Sequence, residues 1–428
     1  MLLQFSVENY RSFRDRAVLS MEASSDTNLM NNVSVPDVAG KKSTVLRSAV
    51  MFGANAAGKS NLFRALTAAI LMIRNSSIMQ PNQPLLGIVP FEPDPAYHTK
   101  PTSFEFVFIT NGRKYVYGFS ATRERVVKEY LYVYYSSKAS TIFTRDVERD
   151  PEIDFTNPAI RRELSPMIQM NTPNKLFLST ATIWNSVTTK VPYLWFATNI
   201  DVYTNKYDDL LQFFGDMLDK DNVAGLREFI IKTMREADVS IDGYSVSRHE
   251  LSSEQMAKLP EINLLGMLSN LSITSGVGYQ ITAKHHAEGV DGNQHNYEFT
   301  MEDESEGTRN IFMLSPLLMK TFQLGNVLCI DEFDSSFHPI LVAYLISLFH
   351  NPEINVGNAQ LIISTHTTDI LSRLLFRRDQ IYFVQKDSRT AASELYSLDE
   401  FSPRQMEDFR KSYLAGRYGS LPLIDEVF

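Results

Sequence analysis

Apolar positions in the first 150 residues recur mainly at the alternating spacing of β-strands. Residues 1–13 open with such an alternation, and residues 104–120 contain two alternating runs separated by Asn111-Gly112, a dipeptide typical of tight hairpin turns. Residues 48–52 form a short apolar run suited to a buried strand, and residues 61–74 carry apolar side chains at helical spacing. The pattern predicts an antiparallel β lobe and a buried strand that leads into a helix.

From about residue 150 to residue 275 the apolar spacing becomes mainly helical. Residues 207–218 and 222–237 carry apolar side chains at i, i+3 and i+4, and no heptad repeat is sustained. We therefore predict a compact helical insertion over 151–275, between an N-terminal lobe (1–150) and a C-terminal lobe (276–428). The glycine-punctuated residues 276–300 predict a hairpin.

Composition and charge narrow the class of protein. The chain has 428 residues, of which 44% are hydrophobic and 21% charged, as in a soluble globular protein. Its apolar runs fall well short of the roughly 20 residues of a membrane span, and the N-terminus lacks a secretory signal, so we expect a cytoplasmic protein. The single cysteine, Cys329, lies in an apolar run, which predicts a buried thiol and excludes disulfides and structural zinc. A net charge of −9 does not favour broad contact with nucleic-acid phosphates.

The most informative stretch is the octapeptide 53–60, Gly-Ala-Asn-Ala-Ala-Gly-Lys-Ser. Gly53 and Gly58 allow the tight backbone path that turns N–H groups toward phosphate oxygens, Lys59 neutralises phosphate charge, and Ser60 is suited to ligate Mg²⁺. A glycine turn that merely contains a lysine is the weaker alternative, because a strand and a helix flank the loop. We expect ATP and Mg²⁺ as cofactors. The predicted nucleotide-binding residues are Gly53, Ala54, Asn55, Ala56, Ala57, Gly58, Lys59, Ser60 and Asn61.

A second signature of a phosphate-loop ATPase is the apolar run 327–330 followed by Asp331 and Glu332. Asp331 is suited to hold Mg²⁺ through its water shell, and Glu332 to polarise the attacking water. Surface carboxylates would be an equally good interpretation of these two residues alone, but together with the upstream loop the functional interpretation is favoured.

Two further elements resemble the ATP-binding-cassette superfamily, in its branch of chromosome-maintenance and recombination-repair ATPases. They are Ser305-Glu-Gly-Thr308, which precedes a helix-like run, and a buried strand that ends at His366. Glu306 and Thr308 stand where many transporters carry Gly and Gln, so this signature is closer to the soluble members. The resemblance implies an α/β fold: a P-loop ABC-type ATPase head with an antiparallel β lobe and a helical insertion in place of a coiled coil.

The same resemblance implies roles for residues outside the loop. Ser305 and Gly307 would contact the γ-phosphate bound to a second subunit, so that ATP joins a dimer or higher homo-oligomer. His366, which in isolation would be interpreted as a core histidine, would contact the γ-phosphate within its own subunit. Asp334 belongs to a loop that links the two sites across the dimer. The implied catalytic residues are Glu332, His366 and Lys59.

Both ends of the chain resemble stand-alone bacterial ATPases of the RloA and AbiLi kind, relatives of the PARIS-system ATPase AriA. The similar segments are residues 1–13 and 413–422. Such proteins occur in abortive-infection and phage-defence operons beside an effector gene, often for a toprim-type nuclease. The resemblance therefore implies a slow ATPase switch, toxin–antitoxin-like, that controls a separate effector chain in response to a phage-encoded trigger.

Three other functions compete with this one. The main alternative is a repair-type ATPase that clamps DNA. A transporter subunit is disfavoured by the signature and the insertion, and a nuclease by the lack of a second spaced set of carboxylates.

Some residues are assigned more weakly. The aromatic run 193–196 is interpreted as core rather than as a docking patch, and His285, His286 and His295 as solvent-facing rather than metal-binding. Arg11 and Ser12 are candidates to lie beside the nucleotide.

Overall fold

A seven-stranded antiparallel sheet forms the N-terminal lobe. The computed structural model describes residues 1–203, 210–221, 223–237, 239, 241–251, 277–290, 292–401 and 407–421. In chain-order numbering, the strands of this sheet are β1 (Leu2–Glu8), β2 (Ala17–Ser20), β8 (Thr102–Thr110), β9 (Arg113–Ala121), β10 (Val126–Tyr134), β11 (Ala139–Asp146) and β12 (Ile153–Asp154). Their order across the sheet is β12-β11-β10-β9-β8-β1-β2.

The hairpin predicted within 104–120 is confirmed. β8 and β9 pair from Thr102 opposite Ala121 to Thr110 opposite Arg113, so only two residues connect them. Both of these, Asn111 and Gly112, have positive φ (49° and 67°), as a two-residue turn between twisted strands requires.

A six-stranded sheet lies at the centre of the protein. Its strands are β7 (Ser48–Phe52), β13 (Ile200–Tyr203), β17 (Val327–Ile330), β18 (Gln360–Ser364), β19 (Ile381–Lys386) and β20 (Ser393–Ser397). They are ordered β13-β17-β18-β7-β19-β20, and all neighbours are parallel except β19 and β20. The buried strands predicted at 48–52, at 327–330 and before His366 are therefore present.

Alternation along the central strands divides the apolar residues between two cores. In β7, Ala49 and Met51 belong to one core, whereas Val50 and Phe52 belong to the other. Cys329 of β17 is fully buried, and burial raises the pKa of its thiol, so the expected buried thiol is confirmed. Because both faces are covered, these strands are almost wholly apolar, as parallel strands generally are.

Helices cover both faces of the central sheet. In chain order they are α1 (Lys59–Asn75), α2 (Pro158–Leu164), α3 (Phe177–Ile183), α4 (Val187–Thr198), α5 (Leu210–Lys220), α6 (Leu226–Glu236), α7 (Glu306–Leu324), α8 (Pro339–His350) and α9 (Phe409–Leu414). The first core contains residues of α1 to α4 and of the antiparallel sheet, and the second contains residues of α5 to α9. The α/β class with an antiparallel lobe is thus confirmed, and no helix among the described ranges is long and apolar enough to cross a membrane.

A helical insertion is predicted over 151–275, but residue 151 is not the point at which the chain passes from the first core to the second. Its first part, through β13, contributes to the first core, and β13 is an edge strand of the central sheet, paired with β17. The aromatic run 193–196 lies in this first part: Trp195 and Phe196 are buried, so the run is core, as interpreted.

The boundaries of the segment at 150 and 275 stay a prediction. Residues 204–209, 222 and 252–276, on which part of the predicted helices and the start of the hairpin fall, lie outside the described residues.

Smaller sheets complete the described fold. The strands β14 (Gly243–Glu250), β15 (Val277–Glu288) and β16 (Gln294–Thr300) form an antiparallel sheet in that order, so the hairpin predicted within 276–300 is present. Two short pairs, β3 (Val33–Ser34) with β6 (Val45–Leu46) and β4 (Asp37–Val38) with β5 (Lys41–Lys42), lie between β2 and β7.

A buried histidine lies at the amino end of the central sheet. His350, the last residue of α8, has its Nε2 2.8 Å from the Ser48 hydroxyl, and burial together with the charge of Arg47 lowers its pKa from 6.5 to about 3. The folded protein therefore binds fewer protons here than the unfolded chain between these pH values. This contribution to stability is present above pH 6.5 and is lost as the pH falls.

We predict that His350→Gln removes this part of the acid sensitivity. The free energy of unfolding, measured with urea at several pH values from 7 to 4.5, should favour the wild type most at pH 7. Because glutamine does not titrate, the difference between the two proteins should shrink steadily as the pH falls. A difference that stays constant over this range would contradict the prediction.

Candidate functional site

The loop between β7 and α1 has a path that only small residues can follow. Gly53 and Gly58 have φ of 155° and 116°. A Cβ atom on Gly53 would lie 2.4 Å from the carbonyl oxygen of Val384, and one on Gly58 would lie 2.4 Å from the Ser393 hydroxyl. Ala56 also has positive φ, 60°. The two glycines of the sequence motif are therefore required by close contacts as well as by backbone conformation.

The loop curls around the Lys59 side chain. Lys59 is the first residue of α1 and is only 5% exposed, and its Nζ donates hydrogen bonds to the carbonyl oxygens of Gly53 (2.7 Å) and Ala54 (3.2 Å). Burial lowers the pKa of the Lys59 ammonium, whereas the negative charges of Asp331, Asp334 and Glu332 oppose this shift. The structure thus brings the predicted lysine and all three predicted carboxylates into one electrostatic environment.

The two acidic residues that follow β17 are bonded to the end of β18. The Ser364 hydroxyl donates to Asp331 Oδ1 at 2.5 Å and accepts from the Glu332 backbone N–H at 2.8 Å. Glu332 has φ of 53°, a left-handed conformation that costs a non-glycine residue about 1–2 kcal/mol. Glu332 is exposed. A group that activates a water molecule must be accessible to solvent in this way. Asp331 donates its own N–H to the carbonyl oxygen of Tyr203 in β13.

Asp334 connects this loop to the residues that follow β18. Its Oδ2 accepts hydrogen bonds from the Thr367 hydroxyl (2.6 Å) and from the backbone N–H of His366 (3.1 Å). His366 is exposed at the carboxyl end of the sheet and is not part of the core. A buried core histidine, the alternative that the order and spacing of the motifs disfavoured, is therefore not what the structure shows.

The predicted signature begins a long helix. Ser305 is the N-cap of α7: its hydroxyl accepts from the N–H of Thr308 at 3.2 Å and lies 2.8 Å from the Thr308 hydroxyl. Ser305 and Glu306 are exposed, while Gly307 is partly covered. A Cβ atom on Gly307 would approach the carbonyl oxygen of Ser336 to 3.0 Å, and the Ser336 hydroxyl donates to the Glu306 carboxylate. The loop that contains Asp334 thus packs against the signature of the same chain.

Two serines that brace the phosphate loop come from distant parts of the sequence. The Ser12 hydroxyl accepts from the Asn61 amide at 2.8 Å, and Ser393 donates its hydroxyl to the carbonyl oxygen of Ala57 (2.5 Å) and its N–H to the carbonyl oxygen of Ser12 (2.7 Å). Ser12 is thus beside the loop, while the position of Arg11 and Ser12 next to a nucleotide stays a prediction. Ser393 has no sequence signal, because it approaches the loop only through the pairing of β20 with β19.

The three histidines before the signature, all expected to face solvent, differ in their exposure. His285 is 8% exposed, stacks on Tyr297 with ring centroids 5.0 Å apart, and places Nε2 2.7 Å from a carboxylate oxygen of Glu304. The interpretation of His285 as solvent-facing is therefore wrong, because its ring packs on Tyr297 of the neighbouring strand β16 and its Nε2 lies against Glu304, the residue before the signature. His286 and His295 are exposed. Among the described residues, no group of three or more His, Cys, Asp or Glu could hold a metal ion.

Comparison with known proteins adds family and fold relatives. A family described as "AAA domain, putative AbiEii toxin, Type IV TA system" matches residues 48–372, which include the phosphate loop, the signature, the two carboxylates after β17 and His366. No curated protein matches the chain.

Solved structures give only distant likenesses. An Smc head bound to the C-winged helix domain of ScpA is 12% identical over 92% of this chain and 97% of its own, with a TM-score of 0.40. An Smc head with an extended coiled coil from Pyrococcus furiosus, bound to the C-terminal domain of ScpA, is 13% identical over 94% and 97%, also at 0.40. The protein cbiO1 of Clostridium perfringens, part of the ABC transporter complex cbiONQ, is 12% identical over 97% and 96%, at 0.32. Likenesses this distant do not bear on the function of this chain.

Proposed function

The chain belongs to this AAA-domain family, and from that premise we propose that it is an ATP-hydrolysing switch of the SMC and ABC type. The observation that carries the proposal is the position of Lys59, enclosed by the phosphate loop and subject to the charges of Asp331, Asp334 and Glu332. A buried cation beside exposed backbone and flanking carboxylates suits a ligand that brings both phosphate charge and a divalent ion.

The residues present fit Mg²⁺ with ATP as the substrate. Ser60 lies in the first turn of α1, and Asp331 has one carboxylate oxygen engaged by Ser364, which leaves the other to face the ion's water shell. These two residues would hold Mg²⁺, which supplies positive charge that offsets the charge of the phosphates.

The remaining residues divide the work of hydrolysis. Lys59 and the loop N–H groups bind and orient the phosphates at the start of α1, and Glu332 accepts a hydrogen bond from the attacking water and polarises it. His366 contacts the γ-phosphate from the neighbouring strand end. Three side chains from the ends of β7, β17 and β18 thus act on one reacting group.

In the proposed assembly, the signature of one subunit would contact the ATP that is bound to the other subunit. Ser305 is exposed at the N-terminus of a 19-residue helix, where backbone N–H groups favour an anion. The γ-phosphate of a second subunit is such an anion, so ATP would join two chains into a homodimer or larger oligomer. Binding energy would then select the assembled state over the separate one.

The assembled protein would control a separate effector chain in anti-phage defence, acting in the cytoplasm. The resemblance to RloA- and AbiLi-type ATPases and the toxin–antitoxin description of the family support this role. A toprim-type nuclease is the effector that the resemblance favours, with a phage product as the trigger.

We predict that Glu332→Gln traps an ATP-dependent assembly. Removing the carboxylate that polarises water should stop hydrolysis while leaving the phosphate contacts intact, so the mass measured by light scattering should rise when Mg²⁺ and ATP are added. Adding Lys59→Ala to this variant should abolish the rise, because the phosphates lose their cation. Glu353→Gln, an exposed glutamate remote from the loop, is the control for the charge change and should behave as wild type. An unchanged mass together with no nucleotide binding would refute the proposal.

A matched pair of substitutions at Ser305 separates assembly from binding. Aspartate and asparagine are both good N-caps, so each should preserve the start of α7. Ser305→Asp places a negative charge where the partner's γ-phosphate would lie and should prevent the rise in mass in the Glu332→Gln background, whereas Ser305→Asn should weaken it much less. Binding of a fluorescent ATP analogue to the separate chain should be equal in both. Equal assembly by both variants would argue against a contact in trans.

The partner proposal predicts a nucleotide-dependent complex. When the tagged chain is co-expressed with the product of the adjacent gene, that product should co-purify with Glu332→Gln and with Lys59→Ala to clearly different extents. Co-purification in neither state would exclude this effector. Salt-sensitive binding of duplex DNA in its place would favour the DNA-clamping alternative.

A further inference from the structure

A single serine contacts three successive residues of the loop after β17. Ser364 is the last residue of β18 and is fully buried. Its hydroxyl donates to Asp331 Oδ1 at 2.5 Å and accepts from the N–H of Glu332 at 2.8 Å, while its carbonyl oxygen accepts from the N–H of Phe333 at 3.0 Å.

The strand register explains this position. β17 and β18 are parallel, with Ile330 opposite Ile363, so the next residues along the two strands, Asp331 and Ser364, lie side by side at the carboxyl end of the sheet. A hydroxyl is the shortest side chain that can both donate to a carboxylate and accept from a backbone N–H at such a place. An alanine or valine, which would suit a buried strand end equally well, could do neither.

We infer that Ser364 is a positioning residue for the magnesium–nucleotide site, and the inference rests on the function proposed above. Its donated hydrogen bond fixes one oxygen of Asp331, so that the carboxylate presents the other oxygen to the ion's water shell. Its accepted hydrogen bond holds the backbone of Glu332 in the left-handed conformation from which the side chain leaves the sheet. Groups that orient a ligand in this way are typically worth about 10- to 100-fold in metal affinity or activity.

A purely structural role is the competing explanation, and the neighbouring strand offers a matched control. Ser48 is 1% exposed, and its hydroxyl lies 2.8 Å from His350 Nε2 and accepts from the Gln380 amide at 2.7 Å. Ser48 begins β7, opposite Leu361, at the end of the sheet away from the phosphate loop. Ser48→Ala therefore removes an equally buried, doubly bonded hydroxyl without touching the site.

The test measures the affinity of a fluorescent ATP analogue, first in EDTA and then during a titration with Mg²⁺. For Ser364→Ala we expect wild-type affinity in EDTA, a half-saturating Mg²⁺ concentration about 10-fold higher or more, and hydrolysis reduced by about 10- to 100-fold. Ser364→Cys keeps the shape of the side chain with a far weaker donor and should shift the Mg²⁺ titration in the same direction. Ser48→Ala should lower thermal stability but leave the Mg²⁺ titration unchanged.

Each contrary result is distinct. If Ser364→Cys, or a folded Ser364→Ala, titrates with Mg²⁺ as the wild type does, the inference is wrong while the proposed function stands. If Ser48→Ala shifts the titration as much as Ser364→Ala, the effect is general destabilisation and the inference is again wrong. If the wild type binds no nucleotide with or without Mg²⁺, the proposed function fails and the inference fails with it.

Discussion

The buried ammonium of Lys59 is the charge around which the site is arranged. A cation withdrawn from water is stable only where fixed dipoles or opposite charges replace its hydration. Here the carbonyl oxygens of Gly53 and Ala54 contact it, and three carboxylates oppose the lowering of its pKa by burial. The tight loop, its two glycines and the bracing serines can all be understood as consequences, since a loose loop would leave the ammonium partly unpaired. The same compensation explains why the carboxylates of a distant segment must end beside this loop.

Parallel strand pairing is what brings those segments together. β7, β18 and β17 are adjacent and parallel, so the residues that follow their carboxyl ends meet at one edge of the sheet. Ligands of open α/β sheets bind at this edge because loops of different strands converge there. In this chain the three loops begin at residues 53, 331 and 365, which are far apart in sequence. The strand order therefore brings the lysine, the two carboxylates and the exposed histidine to the same edge of the sheet.

The sequence predicts the parts of this arrangement that depend on local chemistry. The Asn111-Gly112 hairpin, the buried strands and the strand, loop and helix around residues 53–60 are confirmed, because each depends on neighbouring residues. Features that depend on pairing between distant segments are not visible in the pattern. Strand β13 is only four residues long and carries a buried Asp201, so it is hidden inside a helical stretch. Ser364 and Ser393 are ordinary serines until strand pairing brings them to Asp331 and Ala57. The solvent-facing position expected for His285 is wrong for the same reason, since its stacking partner Tyr297 lies across a hairpin.

One loop joins the two ends of the proposed mechanism within a single chain. Asp334 accepts hydrogen bonds from His366 and Thr367, and two residues later Ser336 contacts Glu306, beside the signature serine. A displacement of His366 thus has a short route to the residues that the proposed assembly places against a second subunit. Within one chain, a single loop therefore links the residues that follow β18 to the start of α7.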